Sequence, residues 1–194
     1  MLAALINVPP NVGYPVVFGL IAIETMGVPV PGETALIAAA LLAHHGQLDI
    51  VPLIVIASLA AIIGDNIGFA IGRRGGRRVF AAPGPLHEYR LKVLEHGEPF
   101  FAKHGPKAVF LGRWISGLRI ASAWLAGMNR MSWPTFLFWN ALGGIAWATS
   151  IALGVYLLGD IAEKVISTAG PVAAAVGVIA LIGVVVWHRR RAGA

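Results

Sequence analysis

Apolar residues fill most of the chain in blocks, and the polar residues that interrupt them fall at a few defined places. Val16–Ile23 and Ala35–Ala43 are apolar but short; neither reaches the ~20 residues a helix needs to cross a bilayer. Between them stand two prolines, two glycines and two glutamates, in the run Glu24-Thr25-Met26-Gly27-Val28-Pro29-Val30-Pro31-Gly32-Glu33. Proline removes a backbone donor and clashes with the preceding turn, so the helix breaks at Pro29, Pro31 and Gly32. A broken backbone at membrane depth is tolerated only where protein or water covers it. The pattern therefore predicts a re-entrant helical hairpin over Tyr14–Ala43; one kinked spanning helix is the alternative.

His44-His45-Gly46-Gln47 follows as a polar turn, its histidines expected to be solvated. Leu48–Ile71 is long enough to span. It carries Asp65, about two turns from its basic end, and Gly64, Gly68 and Gly72 on one face. Small residues so spaced let another helix approach closely. Arg73, Arg74, Arg77 and Arg78 end this span. In Pro85–Gly105, Leu86, Tyr89, Val93 and Leu94 recur at helical spacing among His87, Glu88, Arg90, Lys92 and Glu95. That predicts an amphipathic helix along the membrane surface, ended by Gly97 and Pro99.

A second interrupted element mirrors the first. Ala108–Leu111 and Ile120–Ala126 are again too short to span, and the break between them falls at Ser116 and Gly117, with Arg113 and Arg119 on either side. On one continuous helix those arginines would diverge by ~120°; a break lets both face one ligand, whereas the alternative is that both snorkel to an interface. Trp133–Leu158 then spans, with Pro134 in its first turn and Asn140, Gly143, Gly144 and Trp147 inside it. Asn140 either bonds across helices or lines a cavity. Ala169–Trp187 holds no ionisable residue and is expected to be scaffold, and His188-Arg189-Arg190-Arg191 follows it.

The expected fold is an all-α polytopic membrane protein, a single membrane domain over residues 1–194. It comprises two oppositely oriented re-entrant hairpins, about three full transmembrane helices and a cytoplasmic amphipathic helix. Residues 14–71 form the first hairpin and span, 79–107 the surface segment, 108–158 the second hairpin and span, and 169–188 the scaffold helix. Entered from opposite sides, the two hairpin-plus-span units make an inverted repeat of the kind transporters use, with a site where the breaks meet.

Composition adds the class. The 194 residues are 57% hydrophobic and 12% charged, against about 25% charged in a soluble domain. The formal net charge of +6 sits at the ends of apolar segments, which marks topology and places the C-terminus in the cytoplasm; it is no nucleic-acid footprint. No cysteine is present, which removes thiolate chemistry and disulfides. Met1–Asn11 shows no secretory-signal pattern.

Five ionisable residues lie in apolar sequence: Glu24, Glu33, Asp65, Arg113 and Arg119. A charge at the centre of a span costs ~2.5–3.5 kcal/mol, so five unpaired would cost roughly 12–17 kcal/mol. They must pair, face water or lose charge. Three acids against two arginines leave one acid in excess, able to carry a proton. Arginine's fork of donors matches phosphate oxygens. The expectation is a phosphate headgroup bound by Arg113 and Arg119, with Glu24, Glu33 or Asp65 exchanging protons and a contact between Glu24 and Arg119. No metal site and no cofactor is expected, protons being the one coupling ion considered. The histidines lie outside the apolar core and no metal-hydrolase motif occurs, so a lipid phosphatase is disfavoured and the chain is read as no enzyme. A proton-coupled carrier of ions or small cations is the main alternative.

These residues resemble the DedA family of bacterial membrane proteins, over roughly Tyr14–Leu158. The resemblance is carried by Glu24 with Pro29-Val30-Pro31-Gly32-Glu33, by Gly64-Asp65-Asn66-Ile67-Gly68-Phe69 with Gly72-Arg73, and by Arg113-Trp114-Ile115-Ser116-Gly117-Leu118-Arg119. Ala126-Gly127-Met128, Phe136, Asn140, Gly143 and Trp147 follow in the family's order. It implies a polytopic inner-membrane protein with two re-entrant hairpins that moves membrane lipids, undecaprenyl phosphate or phospholipids, with dependence on the proton motive force. It also implies functional weight on Glu24, Glu33, Arg113 and Arg119. Ser116 stands where the family usually has proline, and Phe69 where it usually has tyrosine. Homo-oligomerisation is left open.

Overall fold

The computed structural model describes residues 9–28, 30–80, 87–115, 118–161 and 164. Residues up to Leu157 form one unit; Leu158–Ala194 form a second, of which residues 158–161 and 164 are described. All regular structure described is helical: α1 Pro10–Thr25, α2 Gly32–His44, α3 Ile50–Phe80, α4 His87–His104, α5 Lys107–Gly112, α6 Leu118–Met128 and α7 Trp133–Leu157.

The local chemistry explains the breaks. Proline at the first helical position opens α1. Beyond Thr25 the chain turns through Gly27 at φ 114°, a conformation other residues resist. Pro31 then precedes α2. α1 and α2, of 16 and 13 residues, are each shorter than a span, as are α5 and α6 of 6 and 11. The second break runs from Arg113 to Gly117, between Gly112 and Leu118. Pro29, Ser116 and Gly117 themselves lie outside the described residues, as do Leu86, the expected scaffold helix Ala169–Trp187 and the basic residues after it.

Two described helices are long and apolar enough to cross a membrane, Ile50–Gly76 of 27 residues and Trp133–Leu157 of 25. At 1.5 Å per residue they reach about 40 and 37 Å, beyond the ~30 Å hydrocarbon core. Val51, Val55, Leu59, Ile63 and Ile67 form an exposed apolar stripe along α3, and Phe138, Leu142 and Ile145 do so on α7. Such stripes suit lipid rather than water.

α3 is the central post, packed by α1, α6 and α7. The first helix of each interrupted pair packs on its own span, α1 on α3 and α5 on α7, while the second crosses to the other span, α2 to α7 and α6 to α3. One apolar core gathers Ile21, Leu36, Leu53, Ala57 and Ala148. A second gathers Phe69, Phe101, Val109, Leu125 and Phe136, with Phe69 stacked on Phe136 at a centroid distance of 4.3 Å.

The glycine face of α3 is the seam of this packing. A methyl group at Gly64 would overlap the Thr25 hydroxyl and the Ala22 carbonyl of α1, and one at Gly72 would overlap the Trp124 backbone of α6. Gly72→Val is therefore expected to lower stability by about 1–3 kcal/mol, the range for overpacking. Gly19→Ala, with nothing within 4 Å of the new carbon, should leave it unchanged. Thermal unfolding of both variants in one detergent checks this; equal melting temperatures would rule out a tight α3–α6 seam.

Three expectations need correction. The first span does not stop at Ile71: the helix continues through the first arginines to a kink at Gly76 (φ 54°, ψ −157°) and on to Phe80. Gly97 and Pro99 do not end the amphipathic helix, which starts at His87 and runs to His104. Gly97 is where Leu125 and Leu118 of α6 press against α4, so its missing side chain serves packing, and the turn comes at Gly105 (φ 57°). With Phe101 also buried, the second half of α4 docks on the bundle rather than lying free on a surface. Finally, His44 is not simply solvated: it is half-buried, with Nδ1 2.7 Å from the Tyr156 carbonyl.

Candidate functional site

The first ion cluster joins the two interrupted elements. Glu24 lies buried in the last turn of α1. Its Oε1 accepts a hydrogen bond from Nη2 of Arg119 at 2.8 Å, and its Oε2 accepts one from the backbone N–H of Glu33 at 3.0 Å. Pro31 offers no side-chain cap to α2, and the open N–H groups of a helix start carry partial positive charge. Glu24 supplies the missing cap from the neighbouring helix. Glu33, in the first turn of α2, places Oε2 3.0 Å from Nη1 of Arg119. Arg119 thus sits between two carboxylates, and its Cζ lies 5.2 Å from the centre of the Trp147 ring. Glu33 is the open member, with 41% of its side chain exposed against 13% for Arg119.

The second cluster is deeper. Asp65 of α3 is 1% exposed and Arg113, which caps the C-terminal end of α5, is 3% exposed. Nη2 of Arg113 donates to Oδ2 of Asp65 and to Oδ1 of Asn140 at 2.6 Å. Asn140 passes a bond on from Nδ2 to the Ile62 carbonyl at 3.2 Å. Room for the arginine comes from α7: a methyl group at Gly143 would stand 3.0 Å from its Cδ, and one at Gly144 3.5 Å from its Nη2.

Asn140, Gly143, Gly144 and Trp147 fall at i, i+3, i+4 and i+7, so they share one face of α7. Arg113 meets this face at Gly143 and Gly144, and Arg119 meets it about one turn further on, at Trp147. The six candidate residues are thereby gathered along one side of α7, but not onto one shared carboxylate. Each arginine has its own acid: Arg113 has Asp65, and Arg119 has Glu24 with Glu33. Asp65 and Arg113 balance in charge, so the excess acid sits at Arg119.

Buried donors remain unmatched. Among the described residues, Nε and Nη1 of Arg113 have no hydrogen-bond partner, and Nη1 of Arg119 has only the ion pair with Glu33. Among these charged groups the unmatched acceptor is Oδ1 of Asp65. A buried polar group left unpaired costs ~1–3 kcal/mol, more when charged. Two orphan nitrogens on Arg113 against one orphan oxygen on Asp65 leave the deeper cluster with more buried donors than acceptors.

Sequence reasoning assigned no site role to the tryptophans that frame the site. Trp124 of α6 donates from Nε1 to the Met26 carbonyl at 2.9 Å, reaching across the first break, and its ring fills the space beside Gly27 and Gly68. Trp133 donates to Oδ1 of Asn66 at 2.9 Å, while Nδ2 of Asn66 bonds the Ile62 carbonyl at 2.8 Å. Membrane tryptophans favour the water interfaces, so the signal available was position: Trp147 stands two turns past Asn140 on the same face, deep within a span.

Residues 30–157 match the VTT domain. An uncharacterized membrane protein of Mycobacterium tuberculosis is 38% identical over 194 residues, covering 97% of this chain and 88% of the relative. One from Synechocystis is 34% identical over 149 residues, covering 77% and 68%. The protein DedA of Escherichia coli K12 is 31% identical over 133 residues, covering 68% and 60%. No solved structure matches the chain.

Proposed function

Because the chain belongs to the VTT-domain family that includes DedA, we propose that this membrane protein moves a phosphate-bearing lipid across the bacterial cytoplasmic membrane, without breaking a covalent bond. The headgroup phosphate is held between Arg113 and Arg119; undecaprenyl phosphate and phospholipids are the candidate lipids. The basic end of α3 faces the cytoplasm, and so does the C-terminus. The observation that carries the proposal is the pair of buried Arg113 nitrogens, Nε and Nη1, without an acceptor among the described residues, beside an Arg119 whose Nη1 is held by the exposed Glu33 through an ion pair alone. Phosphate oxygens supply acceptors, and a guanidinium fork meets them with paired, charge-assisted bonds. The excess acid at Arg119 would suit a cation carrier, but two arginines at the same site oppose a cation.

Glu33 is the counter-ion that gives way. It is the most exposed partner of Arg119 and is held by an ion pair alone, whereas Glu24 is fixed by a backbone N–H as well. With two carboxylates on one arginine the cluster carries one net negative charge, and an arriving phosphate adds to it. Either Glu33 swings out or it takes up a proton, and in the second case headgroup binding and proton uptake are linked. Glu24 and the Asp65–Arg113 pair keep the frame in place meanwhile.

Translocation in proteoliposomes tests this, with a labelled polyprenyl phosphate and a labelled phosphatidylcholine compared with and without a pH gradient. The wild type is expected to move the polyprenyl phosphate faster under a gradient. Glu33→Gln, which mimics the protonated acid, is expected to keep binding that lipid while its movement loses the gradient response. A Glu33→Gln variant that responds fully to the gradient would remove Glu33 as the proton carrier. Equal movement of both lipids, unaffected by changes at the arginines, would indicate an unselective scrambling path, and no movement of either would redirect attention to cation flux.

A further inference from the structure

Among the described residues the Arg119 side chain has three partners of two kinds. Two are carboxylates, Glu24 hydrogen-bonded and Glu33 in an ion pair, and both can be neutralised by a proton. The third is the buried indole of Trp147. An aromatic face carries a negative quadrupole that attracts a cation, most strongly for tryptophan. It uses none of the in-plane donors, it cannot be protonated, and it does not move when Glu33 does. α7 holds it about one turn beyond the glycines that seat Arg113. A plain apolar wall there would leave the guanidinium free to follow Glu33 toward water, and a further carboxylate would compete with the ligand for its donors.

We propose that Trp147 is a positioning residue for phosphate recognition: its ring holds Arg119 by the face so that the edge donors stay aimed at the place that Glu33 vacates. In this it rests on the phosphate binding proposed above. The chemical consequence is a preference for flat, bidentate capture of a phosphate by Arg119, with the ring fixing the plane of the fork before any ligand arrives.

The test uses the full chain in nanodiscs and a short prenyl phosphate as the titrated probe. Trp147→Phe keeps an aromatic face and is expected to bind within about threefold of wild type, whereas Trp147→Leu keeps only bulk and should bind roughly tenfold more weakly, the scale of a desolvated cation–π contact. Replacement of all tryptophans by 5-fluorotryptophan, which drains the ring face with little change of shape, serves as well if the leucine variant does not fold. It is expected to weaken binding in the wild type and not in Trp147→Phe. Leucine binding as tightly as tryptophan, or fluorination acting equally in both backgrounds, would overturn the positioning role and leave phosphate binding standing. A wild type that binds no prenyl phosphate, or binds it as well with Arg119→Ala, would overturn phosphate binding and the role of Trp147 with it.

Discussion

Arg119→Ala is expected to slow movement of a phosphate-bearing lipid at least about 100-fold in proteoliposomes. Hydrogen bonds to a charged partner contribute ~1.5–3 kcal/mol each, a phosphate taken by both arms of one guanidinium makes two, and each ~1.4 kcal/mol is a factor of ten. The same change strips Glu24 and Glu33 of their shared cation. Glu24 retains the N–H of Glu33 and Glu33 is partly in water, so the loss should fall on transport more than on folding. Parallel measurements of lipid movement and thermal unfolding separate the two. An Arg119→Ala variant that unfolds early yet transports at the wild-type rate per folded molecule would assign the residue to the scaffold.

Arg113→Ala is expected to do the reverse, lowering stability by about 3–5 kcal/mol, the scale for breaking a buried ion pair by removing one partner. Asp65 would be left at 1% exposure with no cation, Asn140 would lose its donor, and a cavity would open against Gly143 and Gly144. Replacing both members with apolar residues, as in Arg113→Met with Asp65→Leu, should recover much of that loss, because paired apolar substitutes for a buried ion pair are often neutral or better. Transport should not recover, since the donors left without an acceptor, Nε and Nη1, belong to Arg113. Stability restored together with full transport would show that this pair is packing alone.

The hydrophobic pattern revealed the helices because membrane packing obeys length and break rules that short windows display. Prolines and glycines around residue 29, and too few residues on each side of residue 116, were enough to place two interrupted elements. Gly64, Gly68 and Gly72 declared a packing face by spacing alone. The candidate residues stood out because a charge in apolar sequence is costly wherever it lies. Their partners stood out only in part: the contact of Glu24 with Arg119 was expected and is present, but nothing in the order of residues says that Asp65 takes Arg113, since that choice is made by how α5 lies against α3 and α7. The C-terminal end of α4 was misread for the same reason, as Gly97 answers to Leu125 on another helix and not to its own sequence neighbours. Trp147 was noted but given no role, because a tryptophan in a long apolar run looks like one more apolar residue until a cation is found over its ring.

The crossed packing, with α2 on the span of the second half and α6 on the span of the first, also bears on biogenesis. Chains emerge from the ribosome N-terminus first, so α2 is made long before α7 exists to receive it, and Glu24 waits for Arg119 across 95 positions. Until the second half is synthesised, the first holds three unmatched acids, Glu24, Glu33 and Asp65, and an uncovered helix within the bilayer. The nascent protein therefore has no stable halfway stop: the first half needs either the second half or a membrane chaperone to shield it, and a truncation before α7 should be cleared by quality control rather than accumulate as a folded fragment.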